Sequence, residues 1–266
     1  MNSYDLLQRG IRKYIYDEGW ESLRGIQEAS IKHVHNTENN LILAAPTASG
    51  KTEAAFLPAI NSIKDWNSGL KIVYISPLIA LINDQFRRIY ELCNYINVPV
   101  TSWHGEASKA KKNKLLKEPK GILLITPESI EAMLCLRPGE AKELFRGTEW
   151  IIVDEIHSFL GNNRGIQLRS LIERIKLYME KEPRFIGMSA TLNREDYKKV
   201  KSFFISDRAT DVLLDSSRNP LEVTKNYYES NAKKESREAL EEIYDYSQRE
   251  SMLVFPLRLL SLEILT

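Results

Sequence analysis

Residues 41–53 read Leu41-Ile42-Leu43-Ala44-Ala45-Pro46-Thr47-Ala48-Ser49-Gly50-Lys51-Thr52-Glu53, the most informative run of the chain. An apolar run enters a loop of small residues, which ends in Lys-Thr at the start of a helical pattern (Ala54, Ala55, Phe56, Leu57). That is the build of a phosphate-binding loop set between a buried strand and a helix. Its backbone N–H groups converge on phosphate oxygens, and the helix N-terminus adds a partial positive charge. In such a loop Lys51 reaches the β- and γ-phosphates of a nucleotide and the Thr52 hydroxyl sits on Mg²⁺. One position departs from G-x-x-x-x-G-K-[ST]: Ala45 stands where the first glycine is usual.

A second stretch, Ile151-Ile152-Val153-Asp154-Glu155-Ile156-His157, reads as a buried parallel strand with two acids at its C-terminal end. That end of an open α/β sheet is where ligands bind. Asp154 is placed to hold Mg²⁺ through its water shell, and Glu155 to orient and deprotonate an attacking water. Phosphoryl transfer rests on positioning and charge neutralisation, so Lys51, Thr52, Asp154 and Glu155 form a nearly complete minimal set.

The rest of the chain fits the same sheet. Apolar strand patterns at 41–45, 72–76, 98–102, 122–126, 151–154, 185–189 and 212–214 alternate with helical patterns at 78–96, 167–180 and 194–203. Leu168, Leu171, Ile172 and Ile175 share one face of the second helix and read as core. Residues 109–117 read as a short basic, solvated segment. The formal net charge of +1 over 266 residues gives no global electrostatic case for nucleic acid, so any such binding must come from a local face. Cys93 and Cys135 lack metal-site spacing and read as small core residues of a reducing compartment. With no signal-peptide pattern and no apolar run near the ~20 residues that span a bilayer, a cytoplasmic location without membrane contact is expected.

Six motifs in order, from Trp20 to Thr191, resemble the first RecA-like domain of a superfamily 2 helicase of the DExH type, closest to the Lhr-like and Ski2-like branches. They are Leu23-Arg24-Gly25-Ile26-Gln27 (with Trp20), the loop 45–52, Ser76-Pro77-Leu78-Ile79-Ala80-Leu81-Ile82-Asn83-Asp84-Gln85, Thr126-Pro127-Glu128-Ser129, Asp154-Glu155-Ile156-His157 and Ser189-Ala190-Thr191. Asn163-Arg164-Gly165-Ile166-Gln167-Leu168 looks particularly like the Lhr group. The resemblance implies a P-loop NTPase with a parallel sheet sandwiched by helices, using ATP and Mg²⁺ on DNA or RNA. It implies that Gln27 reads adenine and that Thr47, Ser49 and Gly50 line the phosphate loop. Ser189 and Thr191, with His157, would couple the nucleotide site to strand movement. Pro77, Arg87, Gly105, Thr126, Pro127 and Glu128 match positions that touch the sugar-phosphate backbone. Trp103, beside Gly105, reads more readily as a core residue at a strand end than as a base-stacking platform.

The C-terminal part departs from the family pattern. Residues 1–215 are expected to form the RecA-like domain, 216–250 a linker strand and helix, and 251–266 the truncated start of a second RecA-like domain. After Met252-Leu253-Val254-Phe255 the chain continues into an apolar, Leu-rich tail, the pattern expected of a truncated, frameshifted or fragmentary form. The family hydrolyses ATP between two such domains, the second carrying an arginine finger worth roughly 10³–10⁵ in turnover. The alternative reading is a non-catalytic, nucleotide-responsive module that binds nucleic acid or protein.

Overall fold

The computed structural model describes residues 2–215, apart from 47, 106, 191 and 193–195. The expected linker (216–250) and second-domain segment (251–266) therefore lie outside the described residues, as do Thr47 and Thr191.

Seven parallel strands form one sheet among the described residues: β1 (Asn40–Ala44), β2 (Gly69–Ile75), β3 (Val100–Trp103), β4 (Lys120–Ile125), β5 (Trp150–Val153), β6 (Arg184–Ser189) and β7 (Thr210–Leu214). Their order is β3-β4-β2-β5-β6-β1-β7. Nine α-helices connect them: α1 (Arg9–Asp17), α2 (Gly25–Asn36), α3 (Lys51–Ser62), α4 (Ile79–Tyr95), α5 (Lys109–Lys117), α6 (Pro127–Leu136), α7 (Pro138–Phe145), α8 (Asn163–Lys176) and α9 (Asp196–Lys201), all among the described residues. A 3₁₀ turn covers Ile156–Phe159.

Successive residues of a strand face opposite sides of the sheet, and both sides here are covered. Leu41 and Leu43 of β1 join Tyr74 and Ile152 in the core beneath α1–α4, whereas Ile42 joins Val73, Ile151 and Val153 in the core beneath α6–α8. This two-sided burial explains why the five inner strands read as nearly continuous apolar runs, while the edge strands β3 and β7 are only half-buried.

Local chemistry shifts several boundaries from the sequence reading. Helix α8 starts at Asn163 instead of 167, because the Asn162 side chain accepts a hydrogen bond from the Gly165 N–H at 2.9 Å and caps it. A Cβ on Gly165 would sit 1.7 Å from the Phe159 carbonyl oxygen, so glycine is what lets α8 seat on the 3₁₀ turn. The basic segment 109–117 is a regular helix with Leu115 buried. Cys93 is buried as expected, but Cys135, near the end of α6, is exposed. Trp103 is half-buried against the second core at the end of β3.

A candidate nucleotide and nucleic-acid site

The strand order sorts the motifs into two groups along one edge of the sheet. The loops after β1, β5 and β6, three adjacent strands, carry residues 45–50, Asp154–His157 and the segment beyond Ser189. The loops after β2, β4 and β3, also adjacent, carry Pro77, Thr126–Glu128 and Gly105. The two groups meet at the β2–β5 pairing.

In the first group the phosphate loop leaves β1 and turns into α3 through Gly50, which has φ +87°. A Cβ there would lie 2.5 Å from the Gln27 amide nitrogen, so both conformation and space call for glycine. Ala48 is also left-handed, at φ +62°. Ser49 is half-buried, and its N–H donates to the Pro46 carbonyl at 3.3 Å, closing a turn. The Lys51 ammonium donates to the carbonyls of Ala45 at 2.5 Å and Pro46 at 2.9 Å. Burial lowers its pKa, while the charges of Glu155 and Asp154 act in the opposite sense.

The loop is clasped from below by the start of α2. Gln27 is buried; its carbonyl oxygen accepts from the Arg24 N–H at 2.9 Å and its amide donates to the Gly50 carbonyl at 3.5 Å. The Arg24 guanidinium donates to the Ala48 carbonyl. The Thr52 hydroxyl donates to Gln85 Oε1 at 2.9 Å, which ties the first turn of α3 to α4.

The acids stand beside this loop. Asp154 is buried, and its carboxylate accepts from the Tyr74 hydroxyl and, at 2.9 Å, from the Glu155 N–H. Burial raises its pKa and the Glu155 charge adds to this, against the Tyr74 hydrogen bond and the Lys51 charge. Glu155 takes a left-handed backbone at φ +46°. Its carboxylate lies 3.3 Å from His157 Nδ1, and the same nitrogen lies 3.1 Å from the Ser189 hydroxyl. His157 thus bridges the end of β5 to the end of β6.

In the second group Pro77 is buried, and its carbonyl accepts from Arg164 Nη2 at 2.6 Å. The same guanidinium bonds Glu128 Oε1 at 2.7 Å and 3.1 Å and stacks 5.6 Å from the Phe159 ring centre. Arg164 therefore joins the loops after β2 and β4 to the start of α8. Thr126 is the N-cap of α6, accepting from the Ser129 N–H at 3.3 Å and donating to the Ser129 hydroxyl at 3.0 Å. Pro127 fills the first helical position, where its missing N–H costs nothing. Gly105 is exposed just beyond β3, and Arg87 is exposed on α4.

A cavity of about 930 Å³ opens at the opposite end of the strands, among Lys71, Glu149, Trp150 and Arg184, and no predicted site residue lines it. Arg24, Tyr74, Gln85 and Arg164 hold the site but carried no assigned role in the sequence reading. Three of them lie inside quoted motifs; Tyr74 gave no local signal.

Known proteins resemble this chain in sequence and in fold. The DEAD/DEAH box helicase family model matches residues 24–200. The chain is 29% identical over 234 residues to the ATP-dependent helicase Lhr-Core of Methanocaldococcus jannaschii, covering 80% of this chain and 26% of that protein. It is 33% identical over 205 residues to the Lhr helicase/uracil glycosylase of Escherichia coli, covering 68% of this chain and 13% of that one. The structure of Mycobacterium smegmatis helicase Lhr bound to ssDNA and AMP-PNP superposes with a TM-score of 0.71 at 26% identity, over 80% of this chain and 28% of that chain. The chain thus spans about a quarter or less of the length of these relatives. With a family match over most of its described residues and the motifs gathered on one sheet edge, the chain belongs to the DEAD/DEAH box helicases and forms their ATP-binding, RecA-like α/β domain.

Proposed function

We propose that this domain binds Mg²⁺-ATP over the ends of β1, β5 and β6 and a nucleic-acid backbone over the ends of β2, β4 and β3. Full hydrolysis and strand separation would need a second RecA-like domain, in cis or in trans. The observation that carries this reading is the chain of contacts Glu155–His157–Ser189 beside the phosphate loop, at 3.3 Å and 3.1 Å.

Lys51 supplies the positive charge that phosphate oxygens require, and its lowered pKa reflects a site partly removed from water. Thr52 and Asp154 offer a hydroxyl and a carboxylate, the hard oxygen donors that suit Mg²⁺. That ion keeps waters and phosphate oxygens in its shell, so two protein groups suffice. When bound it would neutralise phosphate charge. Tyr74 and the Glu155 N–H fix the Asp154 carboxylate, and Glu155 projects beside it as the group that orients water. Gln27, held by Arg24 and the loop, keeps one amide hydrogen and one lone pair for an adenine edge. His157 touches both the acid and Ser189, the last residue of β6, so a shift at either end is felt at the other.

Backbone recognition at Pro77, Gly105 and Thr126–Glu128 would be independent of base sequence. The test is equilibrium ATP binding and steady-state turnover of the purified chain with and without single-stranded oligonucleotide. Lys51→Ala should abolish nucleotide binding, and Glu155→Gln should keep binding while removing whatever hydrolysis the chain shows. Normal turnover in Glu155→Gln would refute the assigned role.

A further inference from the structure

The chain is nearly neutral, yet helix α5 concentrates positive charge. Five of its nine residues are lysines (109, 111, 112, 114 and 117), and the helix contains no acid. Among the described residues none of the five makes an ion pair; the nearby Glu118 is engaged by Lys120 instead. Burial lowers the Lys112 ammonium pKa, and the neighbouring charge of Lys109 acts in the same sense.

Two lysines fix where this charge lies. The Lys112 ammonium donates to the His104 carbonyl at 2.5 Å and sits 5.6 Å from the Trp103 ring centre, directly beside Gly105. The Lys111 ammonium sits 5.9 Å from the ring of Phe86, the neighbour of Arg87 on α4. Helix α5 is thereby pinned between two of the positions proposed to meet a nucleic-acid backbone. With Leu115 buried and these two lysines flanking it, the helical spacing turns Lys109, Lys114 and Lys117 outward, and all three are exposed.

The geometry points to α5 as an extension of the nucleic-acid track: a sequence-independent phosphate-binding face, presented by Lys109, Lys114 and Lys117, for the strand that runs past Gly105 over the β3 edge. This inference rests on the proposed nucleic-acid reading and names where that track continues. At a rise of 1.5 Å per residue the helix spans about 13 Å, room for a few phosphates. Four carbons of lysine stem let each ammonium follow a flexible backbone without reading bases.

The experiment compares the full chain with a Lys109→Gln/Lys114→Gln/Lys117→Gln variant, in the presence of ATP. Affinity for oligo-dT of twenty and of six nucleotides is measured by fluorescence anisotropy across a salt series. The expected result is a roughly tenfold loss for the longer strand. Its log–log salt slope should become shallower by about 2, at ~0.7 per phosphate contact on single strands. The six-nucleotide strand, with fewer phosphates to share with the outward lysines, should lose less affinity than the longer one, and ATP affinity should not change. A triple Lys→Arg variant should bind the longer strand as the parent does, which separates charge from folding. An unchanged slope with the longer strand overturns the inference while leaving the nucleic-acid reading intact, and so does an equal loss for both lengths. Failure of the parent chain to bind either strand overturns the nucleic-acid reading and this extension with it.

Discussion

Arg164 makes a prediction whose size follows from its partners. Its guanidinium donates to the buried-loop carbonyl of Pro77 at 2.6 Å and to the Glu128 carboxylate at 2.7 Å and 3.1 Å. The Arg164 and Glu128 side chains are 37% and 58% exposed, so solvent screens their pairing to about 0.2–1 kcal/mol. The hydrogen bond from a charged donor to a carbonyl is worth more, about 1.5–3 kcal/mol, and removing the arginine leaves that carbonyl without this donor. Arg164→Ala should therefore destabilise the domain by about 2–3 kcal/mol and Glu128→Ala by less than 1 kcal/mol. The coupling energy in a double-mutant cycle should match the smaller number. Urea unfolding followed by circular dichroism measures all four corners, and oligonucleotide affinity should fall with Arg164→Ala as the loops after β2 and β4 lose their common anchor. If the two single variants cost the same, and the coupling equals either, then the link to Pro77 contributes nothing and the anchoring argument is wrong.

Three further outcomes are expected. Gly50→Ala, at φ +87° with the Gln27 amide 2.5 Å from the new Cβ, should lower ATP affinity by more than tenfold. Gly19→Ala, at φ +68° with nothing within 4 Å, should carry only the backbone strain of about 1–2 kcal/mol and leave ATP affinity alone; calorimetry distinguishes them. Asp211 joins β7 to α2 by accepting from Asn39 at 2.8 Å and pairing with His33 at 2.9 Å. The Asn39 hydrogen bond first, and then His33, hold its pKa below the ordinary 3.8. Its stabilising contribution is full above that value and is lost as pH falls through the lowered folded value. The stability deficit of Asp211→Ala in urea should therefore be present at pH 7 and shrink below pH ~3.8. Of the two cysteines, exposed Cys135 should react rapidly with a thiol reagent in the folded chain. Cys93, buried and with its thiol pKa pushed up by desolvation, should react only on unfolding; peptide mapping after a timed pulse reads both.

Much of this fold is legible locally because a doubly covered parallel strand must be apolar on both faces. The five inner strands stand out as runs such as Ile151–Val153, whereas the edge strands β3 (Val100–Trp103) and β7 (Thr210–Leu214), without a fully buried residue, carry a mixed pattern. Helix α8 shows the limit: its apolar face was visible, but its start depends on the Asn162 cap, which periodicity does not reveal. In α5 the lysines masked a helix whose single buried residue, Leu115, gives little periodic signal.

The site divides in the same way. Lys51, Asp154 and Glu155 sit in short contiguous motifs whose chemistry can be read from neighbours. The residues that aim them arrive from afar: Tyr74 reaches Asp154 across 80 positions, Gln85 reaches Thr52 across 33, and Arg24 reaches Ala48 across 24. Only the folded sheet brings these partners together.

The left-handed backbone of Glu155, at φ +46°, sets thermal robustness against turnover at a single codon. A side chain in that conformation costs on the order of 1–2 kcal/mol relative to glycine, which adopts it freely. Substitution by glycine would thus harden the domain while deleting the carboxylate proposed to orient water. Screens for heat-resistant variants would be drawn toward this position and would return proteins without that carboxylate. A stabilised library of this domain should therefore be sorted on ATP turnover as well as on melting temperature.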